Sequence, residues 1–112
     1  MRHRPRRNRK SAAIRSFHRE TSVGPQHFVH PIFVHDRPDK YPIASMPGCC
    51  RLGLDDLLRE VEGGLAEGVS AVVLFPAIDE ALKSSDGREA YNPEGLVPRC
   101  LRALRQRFPE LV

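Results

Sequence analysis

The chain has 112 residues, of which 40% are hydrophobic and 29% charged, enough for one modest core and at most one domain. No apolar run approaches the roughly 20 residues that a bilayer span needs, and the start lacks an apolar stretch before a small-residue cleavage site. A soluble chain with no signal or transit peptide is therefore expected. Three cysteines, Cys49 and Cys50 adjacent and Cys100 distant, make an odd count without framework spacing, which argues against a disulfide scaffold and suits a reducing compartment.

Charge is unevenly placed. Residues 1–19 hold eight basic side chains (Arg2, Arg4, Arg6, Arg7, Arg9, Lys10, Arg15, Arg19) and no acid, so the net charge of +4 belongs to a basic arm on an acidic body. Such an arm suits nucleic acid, an anionic membrane or the acidic face of another protein, and equally a solvated tail. Phe17 is its only aromatic and it carries no reading motif, which weighs against nucleic acid. Ala12, Ala13, Ile14 and Phe17 offer a short apolar helical face instead.

Beyond the arm, His27–His35 is rich in β-branched and aromatic residues and predicts a strand, with a bulge or strand start near Pro31 because proline donates no ladder hydrogen bond. Asp36–Gly53 reads as a long loop. Leu54, Leu57, Leu58, Val61 and Leu65 make one apolar stripe, predicting a helix over Leu54–Glu67, with Asp55 and Asp56 in its first turn and Gly68 at its C-terminal cap. Gly63 and Gly64 weaken it by roughly 1 kcal/mol each against alanine. Ala71–Phe75 is an apolar run of the kind a parallel strand buried on both faces shows. A polar connection over Asp79–Ala90 leads to a second helix, capped by Asn92, with Pro93 in its first turn, an apolar face of Leu96, Val97, Cys100, Leu101, Leu104 and Phe108, and Pro109 as its stop. Strand, helix, strand, helix is the α/β pattern of a parallel sheet. Two such units neither close a barrel nor cover both faces of a sheet, so an incomplete domain is expected.

Three segments carry a more specific signal. SMPG at Ser45–Gly48, VVLFP at Val72–Pro76 and EAYNPEGLV at Glu89–Val97, in this order and spacing, resemble porphobilinogen synthase (5-aminolevulinate dehydratase), and RPRRNRKS at Arg4–Ser11 resembles its plant and algal branch. The resemblance runs from about Arg4 to Val112 and covers only the opening third of that family's polypeptide. It implies a (β/α)8 barrel with an N-terminal arm: residues 1–26 as the basic arm, residues 27–112 as the first two βα units, and a third strand beginning at the end of the chain. It further implies a lyase that condenses two molecules of 5-aminolevulinate to porphobilinogen in tetrapyrrole (heme and chlorophyll) biosynthesis. The family is a homo-octamer of the cytosol or plastid stroma, without nucleic-acid or membrane partners. Its two Schiff-base lysines lie on later strands, so Lys10, Lys40 and Lys83 inherit no catalytic role and the segment alone is expected to be inactive. The complete family member uses magnesium or zinc, with no ligand set in the matched region, so no cofactor is expected on this segment.

Among residues present, Phe75 is the substrate-pocket candidate, since it closes a barrel strand at the rim where barrel sites are built; barrel-core filler is the competing reading. Tyr91 and Asn92 read as a packed ring and a helix cap. His27, His30 and His35 read as hydrogen-bonded packing, Cys49–Cys50 as spaced too closely for a zinc pair, and Cys100 as a small core residue. The resemblance makes Arg4, Arg6, Arg7, Arg9, Ile14 and Phe17 subunit-interface candidates, because the family's arm wraps a neighbouring subunit. The alternative is a short interaction protein that binds an intact synthase subunit through the arm and modulates its assembly.

Overall fold

The computed structural model describes residues 6–112. Helix α2 (Leu54–Ala66) forms where the apolar stripe places it: Leu57 and Val61, one turn apart, are 0% and 1% exposed, while Asp55 and Asp56 lie in the first turn. Leu54, on the same stripe, stays 42% exposed at the helix start. Gly68 ends the helix with φ of +86°, and its N–H reaches the Leu65 carbonyl at 3.0 Å while that of Val69 reaches Gly64 at 2.9 Å. This double bond is a Schellman cap and needs the left-handed backbone that glycine adopts at no steric cost. A Cβ on Gly68 would also lie 3.1 Å from Pro25 Cβ.

Four strands make one sheet in the order β2-β3-β1-β4, with β1 spanning Val29–His35, β2 Tyr41–Pro42, β3 Cys50–Leu52 and β4 Ala71–Ala77. β1 and β4 run parallel in an unbroken register from Val29↔Ala71 to His35↔Ala77. The expected bulge at Pro31 is thus absent and the strand starts two residues earlier. Proline is tolerated because β3 meets β1 only at Phe33↔Arg51 and Val34↔Leu52, leaving that edge beside Pro31 without a strand partner among the described residues.

The segment expected to be all loop between Asp36 and Gly53 contains β2 and β3, paired antiparallel through Tyr41↔Arg51 and Pro42↔Cys50. The SMPG motif turns this hairpin. Met46 N–H bonds to Ile43 at 2.9 Å and Cys49 N–H to Met46 at 3.0 Å, with Pro47 and Gly48 (φ +87°) in the middle positions that a type II turn assigns to proline and glycine. Strands of two and three residues are too short to show a period, which is why the sequence hid them.

Ile32 and Val34 of β1, Leu52 of β3, Leu57 and Val61 of α2, and Leu96, Cys100 and Leu104 of α3 (Leu96–Arg107) form the core with Leu111. Both long helices therefore cover one face of the sheet. On the other face Val29, Val73 and Phe75 are 57%, 40% and 47% exposed, so β4 is not buried on both faces as its apolar run predicted. Helix α3 also begins three residues later than expected. Its N-cap is Gly95, and Asn92 instead accepts the Glu94 N–H at 3.1 Å within the preceding turn. A turn closed by the Gly95 N–H on the Asn92 carbonyl at 2.8 Å stands before the helix.

Among the described residues the arm carries a 3-10 turn at Arg6–Arg9 and the short helix α1 (Ala12–Phe17), whose N-cap Ser11 accepts the Ile14 N–H at 3.2 Å. Principal extents of 63 × 32 × 27 Å give the described chain an elongated form.

Candidate functional site

In a parallel sheet, chemistry collects at the carboxyl ends of the strands. Here that rim is formed by His35 of β1 and Ala77 of β4, paired directly with each other. Two residues below it Phe75 faces Phe33, its register partner, with ring centroids 5.5 Å apart and planes tilted by 33°. Both lie on the face away from the helices. Phe75 thus lies just inside the rim on the open face of the sheet, and no titratable side chain of β4 accompanies it.

Behind the rim, between the starts of α2 and α3, lies a cleft of about 290 Å³ lined by His35, Asp36, Leu54, Leu96, Arg99 and Cys100 among others. His35 is buried and its Nε2 meets the Asp39 carbonyl at 2.6 Å, so it holds the chain leaving β1. Asp36 and Arg99, 63 residues apart, form an ion pair that ties this exit to α3. Hydrogen bonding to Asp36 holds the Arg99 guanidinium firmly protonated, although its Nε is buried without a partner. Burial raises the Cys100 thiol above its ordinary value, against the opposing pull of Arg99. Cys100 is a packed core thiol.

A second hollow of about 480 Å³ flanks the unpaired part of β1 and is lined by His30, Phe33, Lys40, Cys49, Cys50 and Glu60 among others. His30 Nε2 stands 3.7 Å from Glu60 Oε1. Among the described residues no three His, Cys, Asp or Glu side chains gather so as to hold a metal ion. Lys10, Lys40 and Lys83 are all exposed, and Lys83 pairs with Glu80.

In the arm, Arg6, Arg7 and Arg9 are exposed, Ile14 is half-buried and Phe17 is 89% exposed; Arg4 lies outside the described residues. Arg15 Nη1 donates to the Arg9 carbonyl at 3.1 Å, joining the first turn to α1. The arm candidates and Phe75 occupy separate regions, one on the projecting arm and the other on the open face of the sheet.

The arginines of α3 are committed within the chain. Arg102 donates to the Pro93 carbonyl at 2.6 Å, Arg107 pairs with Glu62 at 3.3 Å, and Arg105 Nη1 spans the carbonyls of Pro109 (2.8 Å) and Leu111 (3.3 Å). No local pattern announces such bonds, because their acceptors are backbone oxygens or distant side chains. Past Arg105, Val112 donates to the Ser70 carbonyl at 3.0 Å and accepts from the Val72 N–H at 2.8 Å. One residue bridging two alternate residues in this way is the hydrogen-bond pattern of a parallel strand lying on the outer edge of β4.

The profile of the family described as delta-aminolevulinic acid dehydratase matches residues 2–112. The chain is 54% identical over 110 residues to the chloroplastic enzyme of Physcomitrium patens, covering 97% of this chain and 26% of that protein. It is likewise 54% identical over 110 residues to the chloroplastic enzyme of Glycine max, covering 97% and 27%. A solved delta-aminolevulinic acid dehydratase of Toxoplasma gondii, in complex with its product porphobilinogen, superposes with a TM-score of 0.92 at 46% identity over 100% of this chain and 32% of that one. The chain thus spans about a quarter of the length of these plant relatives, and its mixed four-stranded sheet with helices on one face is part of a (β/α)8 barrel. By the match along nearly its whole length and by its backbone, the chain belongs to the delta-aminolevulinic acid dehydratase (porphobilinogen synthase) family.

Proposed function

We propose that the chain is the arm-bearing first portion of a porphobilinogen synthase, a hydro-lyase that condenses two molecules of 5-aminolevulinate, and that this portion supplies barrel wall and subunit contacts without a catalytic group. The observation that carries the reading is the superposition, over the whole chain, on a relative holding porphobilinogen. Residues 1–26 act as the arm and 27–112 as the barrel portion. The Schiff-base lysines and the magnesium or zinc ligands belong to strands beyond this portion, and the three lysines here stand exposed. The chloroplastic relatives favour the plastid stroma as its place of action.

The test joins residues 1–112 to the part of the Physcomitrium patens enzyme that this chain does not match. The fusion is expected to form porphobilinogen from 5-aminolevulinate, and purified 1–112 alone none above buffer. A folded fusion without activity, or turnover by 1–112 itself, would overturn the reading.

In the arm, Arg4, Arg6, Arg7 and Arg9 meet carboxylates and carbonyls of a neighbouring subunit, where planar guanidinium forks give directional bonds, and Ile14 and Phe17 anchor the contact. Exposure of Phe17 at 89% supports this assignment, since a large apolar ring on a six-residue helix has no cover among the described residues. Replacing Arg4, Arg6 and Arg7 by alanine in the fusion is expected to shift an octamer toward smaller assemblies and to lower activity through that shift. Analytical ultracentrifugation at several protein concentrations measures it, and an unchanged octamer with unchanged activity refutes the interface role.

A further inference from the structure

Phe33 and Phe75 are directly opposed on β1 and β4, with ring centroids 5.5 Å apart and planes tilted by 33°, on the face of the sheet that the helices leave open. The two rings are not held alike. Phe33 is half-buried on an inner strand, with Arg51 of β3 as its register partner on one side and Phe75 on the other, so its backbone is fixed from both edges. Phe75 is 47% exposed on the outer strand. The next residue toward the rim on its own face is Ala77, so β4 places no larger side chain between this ring and the rim. Pro76 holds the Phe75 backbone extended, which leaves the side-chain torsions as its remaining freedom. Among the described residues, the aromatic ring that limits those torsions is Phe33.

We propose, resting on the synthase reading above and on Phe75 as the substrate-pocket candidate, that Phe33 is a positioning residue that sets the ring plane of Phe75 and acts on substrate only through it. A tilted pair at this separation is a favoured aromatic arrangement, so Phe33 selects one orientation of a ring that is otherwise free to turn into the space below the rim. A bare phenyl ring offers apolar contact alone, which suits the carbon chain of 5-aminolevulinate and not its carboxylate, ketone or amine. Contact of this kind does not strengthen as charge develops on the reacting carbonyl. Its loss therefore falls on KM and leaves kcat nearly unchanged. Packing by Phe33 for the fold alone has the opposite signature, a loss of stability with KM unaltered.

The experiment compares the covalent fusion described above with its Phe33→Leu, Phe75→Ala and doubly substituted forms. Leucine keeps an apolar side chain at position 33 and removes the ring. Phe33→Leu is expected to raise KM for 5-aminolevulinate about three- to tenfold, with kcat within about twofold. Phe33→Met, flexible and without a ring, carries the same expectation as an independent second variant. Phe33→Tyr keeps the ring and is expected to hold KM within about twofold of the unsubstituted fusion. In the Phe75→Ala background, Phe33→Leu is expected to add nothing to KM, since a residue that acts through another loses its effect once the other is gone. An unchanged KM in both ringless variants, a KM in Phe33→Tyr as high as theirs, or KM effects that multiply in the double variant would each overturn the positioning role. The parent readings fail differently. A folded fusion without activity overturns the synthase reading, and an active fusion whose KM is indifferent to Phe75→Ala overturns Phe75 as a pocket residue.

Discussion

Glu89, Asn92 and Gly95 explain why EAYNPEGLV behaves as a block. A Cβ on Gly95 would lie 2.7 Å from Glu89 Oε1, 2.9 Å from the Glu89 carbonyl and 3.0 Å from the Asn92 carbonyl, while Asn92 Nδ2 donates to Glu89 Oε2 at 3.0 Å. Two of the three obstructing atoms are backbone and cannot swing away. Gly95→Ala is therefore expected to destabilise the fusion by about 1–3 kcal/mol, seen as a lowered urea midpoint with unchanged slope. At Cys100 the raised thiol and 2% exposure predict alkylation much slower than at half-buried Cys49 and Cys50 at neutral pH. Mass spectrometry of iodoacetamide-treated native chain resolves the order; equal rates would mean that α3 does not cover the thiol. Phe75→Ala distinguishes wall from filler. A wall predicts a raised KM for 5-aminolevulinate in the fusion with kcat nearly kept, whereas filler predicts lost stability with KM unchanged.

Between elements, the decisive contacts are those that set one unit on the next. Leu57 is fully buried where α2 meets the sheet and the α3 residues, and Leu57→Ala is expected to cost about 2–5 kcal/mol, enough to strip the protection of β1 and β4 amides together. Arg105→Ala should act more locally. It removes the bridge to the Pro109 and Leu111 carbonyls, so the Val72 and Val112 amides lose exchange protection while those of α2 keep theirs. Hydrogen exchange read by NMR separates the two variants, and a global loss in Arg105→Ala would show that the bridge supports the core instead of the turn.

At the scale of the molecule, one face of the sheet is covered and the other is open, and an arm projects from the body. An open sheet with Val73 and Phe75 bare has apolar surface that only further chain can remove from water. Residues 1–112 alone should accordingly aggregate or remain partly molten, binding a hydrophobic dye with a broad melt. A sharp, cooperative melt of a monomer at low concentration would show that the covered face suffices.

Much of this was decided within short stretches of chain. The α2 stripe and its Gly68 stop, the apolar run of β4, the α/β order and the family itself are legible because each rests on local periodicity, a backbone requirement or a run of specific residues. The placement of Phe75 near a strand end is legible in the same way. Tertiary structure alone decided the rest. β2 and β3 exist because partners reach them, not because two or three residues prefer to be strands. Asn92 is a turn residue, its carbonyl accepting the Gly95 N–H at 2.8 Å, and Gly95 caps α3 in its place. Pro31 sits in an unbroken strand because β3 stops short of it. Which face of β4 is buried was undecidable from AVVLF, since burial depends on what packs against each side, and the ion pair of Asp36 with Arg99 joins residues that only the folded chain brings together.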